Sequence, residues 1–223
     1  MERAITFAPE YCFHIFNRGV EKRTIFIDDN DRIRFQHLLY LANGTNPIIF
    51  KRVRGEPLDR DRGKSLVSLL AYSLMSNHFH LIVYEHTAGG ISSFMGKLQT
   101  AYSMYFNVMN ERTGPLVCKP FRAKHIDTDD YFRWAVSYVH LNPLDLIEPR
   151  WKVKGGRMNK KEAIQFLESY RFSSYPDYFG CARPEGKLID KTRLPIDVSA
   201  LENFETMLKE FRDPFERPDL EVW

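Results

Sequence analysis

Cysteine is scarce in this chain of 223 residues, and long hydrophobic runs are lacking. The cysteines are Cys12, Cys118 and Cys181, an odd number, widely separated and without a CxxC pair. This pattern argues against a disulfide framework or a zinc ribbon, and it fits a reducing compartment. No segment approaches the ~18 apolar residues of a membrane span, and no apolar signal segment begins the chain. We therefore expect a cytoplasmic protein that does not cross a membrane.

A strong charge of one sign is also lacking, because 32 basic residues stand against 29 acidic ones and the net charge is +3. The basic residues are unevenly distributed, with one cluster within residues 51–64 and another within residues 150–161. The second cluster includes Arg150, Lys152 and Lys154. Such clusters are commonly solvated surface, but they are also typical of a surface that binds a phosphate backbone.

One stretch, residues 76–83 with the sequence SNHFHLIV, combines a strand pattern with a definite chemistry. It follows the apolar residues 66–75, so the two segments are predicted to be buried strands joined by a turn. Because side chains alternate between the faces of a strand, His78 and His80 point to one face and Phe79 enters the core behind them. Two such imidazoles suit a divalent metal if a third ligand comes from elsewhere. A His-x-His triplet also arises by chance, so the rest of the chain has to support the site.

Hydrophobic periodicity predicts strands and helices that alternate along the first part of the chain. Their order favours an α+β fold, an antiparallel sheet with packed helices of the ferredoxin-like kind. Residues 1–143 are expected to form the main domain, and residues 144–223 a basic and helical extension packed on it. The strands are predicted at residues 11–19, 47–53, 66–75, 78–85 and 116–126, and the helices at 29–43, 90–106, 128–142, 159–170 and 199–211.

The predicted helix at residues 128–142 has a clear start and end. Thr128 can cap its first N–H groups, and Pro143 is expected to stop it and to disfavour helical geometry at Asn142. Tyr138 and Asn142 are four residues apart, so they share a face if the helix persists through its last turn. His14, in the first predicted strand, is expected to be packed or solvated rather than functional.

The spacing of Tyr138 and Asn142 suits a site for phosphoryl transfer. The phenolic oxygen of Tyr138 would attack a phosphodiester, and the Asn142 amide oxygen would bind the metal held by the histidine pair. Because the pKa of a phenol is about 10, the metal or nearby cations have to assist. Cationic or ionisable residues close by in the sequence are Lys124, Arg133 and His140.

Several motifs in one order carry a resemblance to a known family across residues 8–180. The chain resembles the single-tyrosine HUH transposases, in particular the REP-associated tyrosine transposase branch of the IS200-like family. The joint occurrence of the motifs is far more specific than any one of them. They are Asn17-Arg18-Gly19, the histidine stretch at residues 76–82, Phe121-Arg122, the YVHLNP segment at residues 138–143, and Ser173-Ser174-Tyr175.

The resemblance implies a metal-dependent endonuclease and strand transferase that acts on single-stranded, hairpin-forming DNA through a 5′-phosphotyrosine intermediate. It implies that Tyr138 is the nucleophile and that His78, His80 and Asn142 bind Mg²⁺ or Mn²⁺. Other members of the wider family use Gln at the position of Asn142. The protein would act as a monomer or a homodimer. The residues expected to bind DNA are Arg18, Lys119, Arg122, Lys124, Arg150, Lys152 and Lys154.

Two other classes of protein are compatible with parts of this pattern. A non-catalytic protein derived from such a transposase could bind single-stranded nucleic acid through exposed aromatic and basic residues. A zinc hydrolase could use the His-x-His pair with a water nucleophile, although the chain lacks an HExxH motif. Cleavage that depends on Tyr138 distinguishes the transposase from both.

Overall fold

The computed structural model describes residues 6–48, 56–149, 151–152, 159–180, 182–195 and 203–212. Most of the strand predicted at residues 47–53 lies outside these ranges, as do Arg150 and Lys154. The remaining predicted elements fall within them, wholly or in large part.

The centre of the fold is a four-stranded sheet in the order β2-β3-β1-β4, and all of its neighbouring strands are antiparallel. The element order β-α-β-β-α-β is that of the ferredoxin-like arrangement. The prediction of an α+β fold with an antiparallel sheet and packed helices is therefore confirmed. The strands are β1 (Cys12–Arg18), β2 (Val67–Leu74), β3 (His78–Glu85) and β4 (Arg122–Ile126).

Helices cover both faces of the sheet, which explains why β2 is buried along its whole length. One face packs on α1 and α2 and contains Phe79. The other face packs on α3 and α6 and contains Ile82. The helices in the described part of the chain are α1 (Asp29–Ala42), α2 (Gly90–Met109), α3 (Asp129–Leu141), α4 (Lys160–Ser169), α5 (Tyr175–Phe179) and α6 (Phe204–Arg212).

The start and the end of α3 agree with the prediction, but the conformation of Asn142 does not. Thr128 Oγ1 accepts a hydrogen bond from the N–H of Tyr131 at 3.2 Å. Asn142, by contrast, has helical dihedral angles (φ −54°, ψ −39°), and its N–H bonds to the carbonyl of Tyr138. The expectation that Pro143 would remove Asn142 from helical geometry is wrong. The chain tightens there into a 3₁₀ turn, whose first residues need no N–H donor, so a proline is tolerated.

The outer edge of β2 is covered by chain from residues 170–190. An edge strand otherwise presents unpaired N–H and C=O groups that invite pairing with another chain. Here backbone groups and two tyrosine hydroxyls of this segment pair with edge groups of β2 between Leu69 and Leu74. These hydrogen bonds are Leu74 N–H to the Phe172 carbonyl at 3.0 Å, Ser174 N–H to the Tyr72 carbonyl at 2.9 Å, Asp190 N–H to the Leu69 carbonyl at 2.9 Å, Tyr178 O–H to the Leu70 carbonyl at 2.6 Å and Tyr170 O–H to the Leu74 carbonyl at 2.6 Å.

The last described helix, α6, packs on α3 through an apolar stripe. Phe204, Met207 and Phe211 are buried in the same core as the inner face of α3. The described part of the extension thus contributes to the core on the α3 side of the sheet. Among the described helices, none combines the length and the apolar character needed to span a bilayer.

Candidate active site

The register of the sheet brings the two histidines of β3 to the face covered by α3. Their imidazole centroids are 5.1 Å apart and the ring planes are nearly perpendicular, at 85°. In β1, Arg18 lies opposite His78 and Phe16 lies opposite His80. The alternation argument is confirmed, because Phe79 is buried in the core on the other face.

Each histidine has one ring nitrogen engaged in a hydrogen bond. His78 Nδ1 donates to the side-chain oxygen of Asn77 at 2.6 Å. His80 Nδ1 lies 3.0 Å from Nε2 of His14, a fully buried residue of β1. In metal sites, a hydrogen bond of this kind at the non-ligating nitrogen orients the ring and sets its tautomer. If these histidines bind a metal, they would do so through Nε2, which at His80 requires the proton to be on Nδ1.

Burial keeps these histidines neutral near pH 7. It lowers the pKa of His78 to about 4, with a further lowering by the Lys152 ammonium and an opposing effect of the Asn142 side chain. Burial also lowers the pKa of His80 well below its usual value, helped by its histidine neighbours. The pKa of His14 falls to about 3 for the same reason. Neutral imidazole is the form that binds metals, so the site needs no deprotonation to accept one.

Helix α3 places Tyr138 against His80, one member of the histidine pair. Its ring centroid is 5.1 Å from that of His80 with the planes at 89°, and 6.0 Å from that of His14. The ring also stacks on Trp134 at 5.2 Å and on Phe211 of α6 at 6.2 Å. The tyrosine predicted to be the nucleophile is thus in contact with two histidines and two aromatic side chains.

A cation lies beside the Tyr138 ring. The Lys152 ammonium is 5.3 Å from the ring centroid and 2.5 Å from a carboxylate oxygen of Asp145. The other carboxylate oxygen of Asp145 accepts from the indole N–H of Trp151 at 2.8 Å. Sequence reasoning assigned Lys152 to DNA binding, whereas the structure brings it next to the tyrosine.

Asn142 completes the cluster from the end of α3. Its side chain is fully buried, and neither polar atom of the amide forms a well-directed hydrogen bond within the described part of the chain. The amide is nonetheless close enough to His78 to oppose the burial-driven fall in the pKa of that imidazole. A buried amide left unsatisfied costs about 1–3 kcal/mol, which a bound ligand would remove.

The donor set around the histidine pair fits a divalent metal with mixed nitrogen and oxygen ligands. His78 and His80 offer Nε2 atoms, and the unsatisfied Asn142 amide offers an oxygen. No group of three or more His, Cys, Asp and Glu residues in the described ranges could hold a metal. The Asn142 amide could add an oxygen ligand beside the pair, and water or substrate oxygens would fill the remaining positions.

The residues predicted to bind DNA do not all lie together. Arg122 is opposite Phe16 and Lys124 is opposite His14, so both side chains share the face of the histidine pair. With Arg18 they form a basic strip across β1 and β4 beside the site. Lys119 instead lines a groove of about 940 Å³ between α2 and residues 114–121.

Two residues proposed to assist the phenol have other partners. Arg133 pairs with Asp130 and faces Glu210 of α6 at 3.9 Å. His140 Nε2 lies 2.9 Å from the hydroxyl of Ser174, so this ring contacts the segment that covers the edge of β2.

Sequence reasoning missed His14 and Phe211. His14 was expected to be a packed strand residue, and a lone histidine carries no spacing signal of its own. The signal that identifies it is the pairing of β1 with β3, which puts Phe16 opposite His80 and His14 one step along the same face. Phe211 belongs to a helix that the sequence predicts, but no pattern indicates that this helix packs on the tyrosine.

Part of the chain, including the candidate site, matches a known protein family. Residues 60–144 match the family model described as "Transposase IS200 like". The matched segment contains β2, β3, α2, β4 and α3, and hence the histidine pair, Tyr138 and Asn142. Over this segment, which is less than half of the chain, the sequence is similar to the IS200-like transposases, in agreement with the family predicted from the motifs.

One similar solved structure is described as "Structure of the REP associates tyrosine transposase bound to a REP hairpin". It shares 12% sequence identity, the alignment covers 83% of this chain and 89% of that chain, and the TM-score is 0.48. No curated protein matches the chain.

Proposed function

We propose that this protein is a metal-dependent endonuclease and strand transferase that acts on single-stranded, hairpin-forming DNA in the cytoplasm. The observation that carries the proposal is the contact of the Tyr138 ring with His80, 5.1 Å between centroids, at the end of the helix that also supplies Asn142. A nucleophile, a neutral histidine pair and an unsatisfied amide meet in one cluster. The family match over this segment supports a transposase.

Tyr138 carries the covalent step. Its phenolic oxygen attacks the phosphorus of a phosphodiester, forms a P–O bond to the tyrosine and breaks the bond to the 3′ oxygen, which leaves as a 3′ hydroxyl once protonated. The DNA 5′ end stays on the protein as a phosphotyrosine. Attack by another 3′ hydroxyl on this linkage reverses the chemistry and joins the two strands, releasing the tyrosine.

The residues around the tyrosine are proposed to bind the metal, to supply positive charge and to orient the phenol ring. A divalent Mg²⁺ or Mn²⁺ on His78, His80 and Asn142 would polarise the scissile phosphate and neutralise its developing charge. The Lys152 ammonium lies 5.3 Å from the centroid of the Tyr138 ring and would place a positive charge near the scissile phosphate. The Trp134 ring stacks on Tyr138 and restricts its orientation.

The single strand would reach the site along β4. Arg122 and Lys124 lie on the face of the histidine pair, with Arg18 next to His78. Phosphate contacts of this kind position the strand without reading its sequence. Arg150 and Lys154 are proposed to extend this surface, and Lys119 to contact DNA from the groove beside α2.

We assign catalysis to residues 1–143 and treat residues 144–223 as an extension that supports the site. Lys152 and Phe211, both from the extension, contact the Tyr138 ring. One chain brings the tyrosine and the histidine pair together, which supports action in cis by a monomer. A homodimer remains the other arrangement that the family resemblance implies.

The test is incubation of the purified protein with labelled single-stranded hairpin oligonucleotides and Mg²⁺ or Mn²⁺, followed by a denaturing gel. We expect a covalent protein–DNA band that is lost in Tyr138→Phe and in His78→Ala. His37→Ala, which changes a half-buried histidine of α1 on the opposite layer, should keep the band. Bound but intact DNA would favour the non-catalytic binding protein, and cleavage that survives Tyr138→Phe would favour a water-based hydrolase.

A further inference from the structure

His14 is fully buried and lies close to both His80 and Tyr138 of the candidate site. Its Nε2 lies 3.0 Å from Nδ1 of His80, and its ring centroid lies 6.0 Å from that of Tyr138. Its Nδ1 has no hydrogen-bond partner in the part of the chain that the structure describes. The bond to His80 is therefore the one described hydrogen bond of this side chain.

A hydrogen bond between two neutral imidazoles admits two arrangements, because one nitrogen carries the proton and the other accepts it. If His14 donates, His80 accepts at Nδ1 and carries its own proton on Nε2, where it blocks metal binding. If His14 accepts, His80 is protonated at Nδ1 and keeps the Nε2 lone pair. Only the second arrangement makes His80 a ligand.

We infer that His14 is a positioning residue, which accepts the Nδ1 proton of His80 and thereby fixes the tautomer and ring orientation that present His80 Nε2 to the metal. The inference rests on the proposed function, since it concerns the same metal. His78 has the corresponding partner in Asn77, whose oxygen accepts from Nδ1 at 2.6 Å. Both members of the pair are then oriented by an acceptor behind them.

The strand positions explain why a histidine can serve this purpose. His14 and Phe16 point to the same face of β1, and Phe16 lies directly opposite His80. The diagonal separation across two strands is too long for a short side chain, but a ring nitrogen reaches across it. A carboxylate here would add a buried negative charge, whereas a neutral ring supplies the acceptor without one.

The chain offers a matched control for a loss of His14. His140 is also fully buried, its Nε2 bonds to Ser174 at 2.9 Å, and its Nδ1 likewise has no partner among the described residues. His140→Leu therefore removes a comparable buried hydrogen bond. It does so away from the histidine pair.

The test measures Mn²⁺ affinity by electron paramagnetic resonance and the histidine tautomers by long-range ¹H–¹⁵N correlation in the Mg²⁺-loaded full chain. We expect His80 protonated at Nδ1 and His14 unprotonated at Nε2. His14→Leu should weaken Mn²⁺ binding by about 10- to 100-fold, the usual effect of losing such a partner. His14→Gln, which keeps an acceptor near the Nε2 position, should restore most of the affinity, and His140→Leu should match the wild type.

A proton on His14 Nε2 in the loaded wild-type protein would overturn the inference, and this measurement needs no variant to fold. Wild-type affinity in a folded His14→Leu protein would also overturn it. If the DNA is still cleaved in that case, the proposed function stands without the positioning role. If Mn²⁺ binding depends on His14 but no covalent DNA product forms, the positioning role stands and the proposed reaction fails.

Discussion

The ring of Phe211 stacks on the ring of Tyr138, with centroids 6.2 Å apart and planes inclined by 24°. Phe211 also stacks on Trp134 at 6.3 Å and contacts Trp151 at 4.7 Å. Helix α6 thus contacts the tyrosine through Phe211. The contacts that stabilise this end of the fold also hold the Tyr138 ring.

Phe211→Ala should therefore reduce both stability and the rate of covalent DNA attachment. Removing a buried phenylalanine costs about 3–5 kcal/mol, measurable by urea denaturation. Met207→Ala is the control, because Met207 is buried on the same helix and makes no described ring contact with Tyr138. An attachment rate no lower in Phe211→Ala than in Met207→Ala would show that this ring does not orient the tyrosine.

Replacing Asn142 should separate stability from metal binding. Asn142→Leu removes a buried amide that has no well-formed hydrogen bond in the described chain, so the metal-free protein should be as stable as the wild type or gain about 1–3 kcal/mol. Its Mn²⁺ affinity should fall by about tenfold or more, whereas Asn142→Asp should bind at least as tightly as the wild type. Titration calorimetry and thermal unfolding measure the two effects. A clear loss of stability with unchanged Mn²⁺ affinity would identify Asn142 as a structural residue.

Mixing two inactive variants tests whether the site acts in cis. Tyr138→Phe retains the histidine pair, and His78→Ala retains the tyrosine. If each chain uses its own residues, as the contact of Tyr138 with His80 supports, an equimolar mixture should form no covalent product above the sum of the two variants. Recovery of product in the mixture would instead indicate a dimer that exchanges its tyrosine helices.

The basic strip on β4 should appear in the salt dependence of DNA binding. Each lost phosphate contact reduces the slope of log K against log salt by about 0.7 for single strands, so Arg122→Ala with Lys124→Ala should reduce it by about 1.4. Fluorescence anisotropy over a range of salt concentrations measures the slope. The double variant Arg60→Ala with Lys64→Ala has the same charge change in the other basic cluster and should leave the slope unchanged. Equal slopes in the β4 variant and the wild type would remove this strip from the binding surface.

Stability should fall in mild acid because His140 is buried in its neutral form. Burial, with a smaller effect of Lys191, lowers the pKa of His140 to about 3, below the ~6.5 of an unfolded chain. As the pH falls through 6.5, His140 takes up a proton in the unfolded state but stays neutral in the folded state. Stability is then lost at about 1.4 kcal/mol per pH unit for this residue.

His140→Leu should make the pH dependence less steep by about one proton between pH 6 and pH 4. Denaturant unfolding of the metal-free protein at several pH values measures the slope. The remaining slope in the variant should come from other buried histidines such as His14. Identical slopes in the variant and the wild type would mean that His140 is protonated in the folded state.

Local rules predicted the elements of this fold well, because they depend on neighbours in the sequence. Alternation along β3 put His78 and His80 on one face, and the capping hydroxyl of Thr128 marked the start of α3. The contacts within the site depend on how distant segments pack together, which local sequence patterns do not predict. The register of β1 against β3 brings His14 to His80, and the docking of α6 brings Phe211 to Tyr138. The backbone conformation of Asn142 was mispredicted, because the chain continues from α3 into a 3₁₀ turn that accommodates Pro143.

The cover over the edge of β2 has a consequence for the order of events at the ribosome. The N–H of Tyr72 bonds to the hydroxyl of Ser174, 102 residues further along the chain. At about 5–20 residues per second, the nascent chain exposes this strand edge for roughly 5–20 s before its cover is translated. Strand β3 is synthesised early in that interval, but the uncovered edge of β2 can still pair with a strand of another chain. A stop codon or stall between β4 and residue 170 would therefore yield an aggregation-prone fragment.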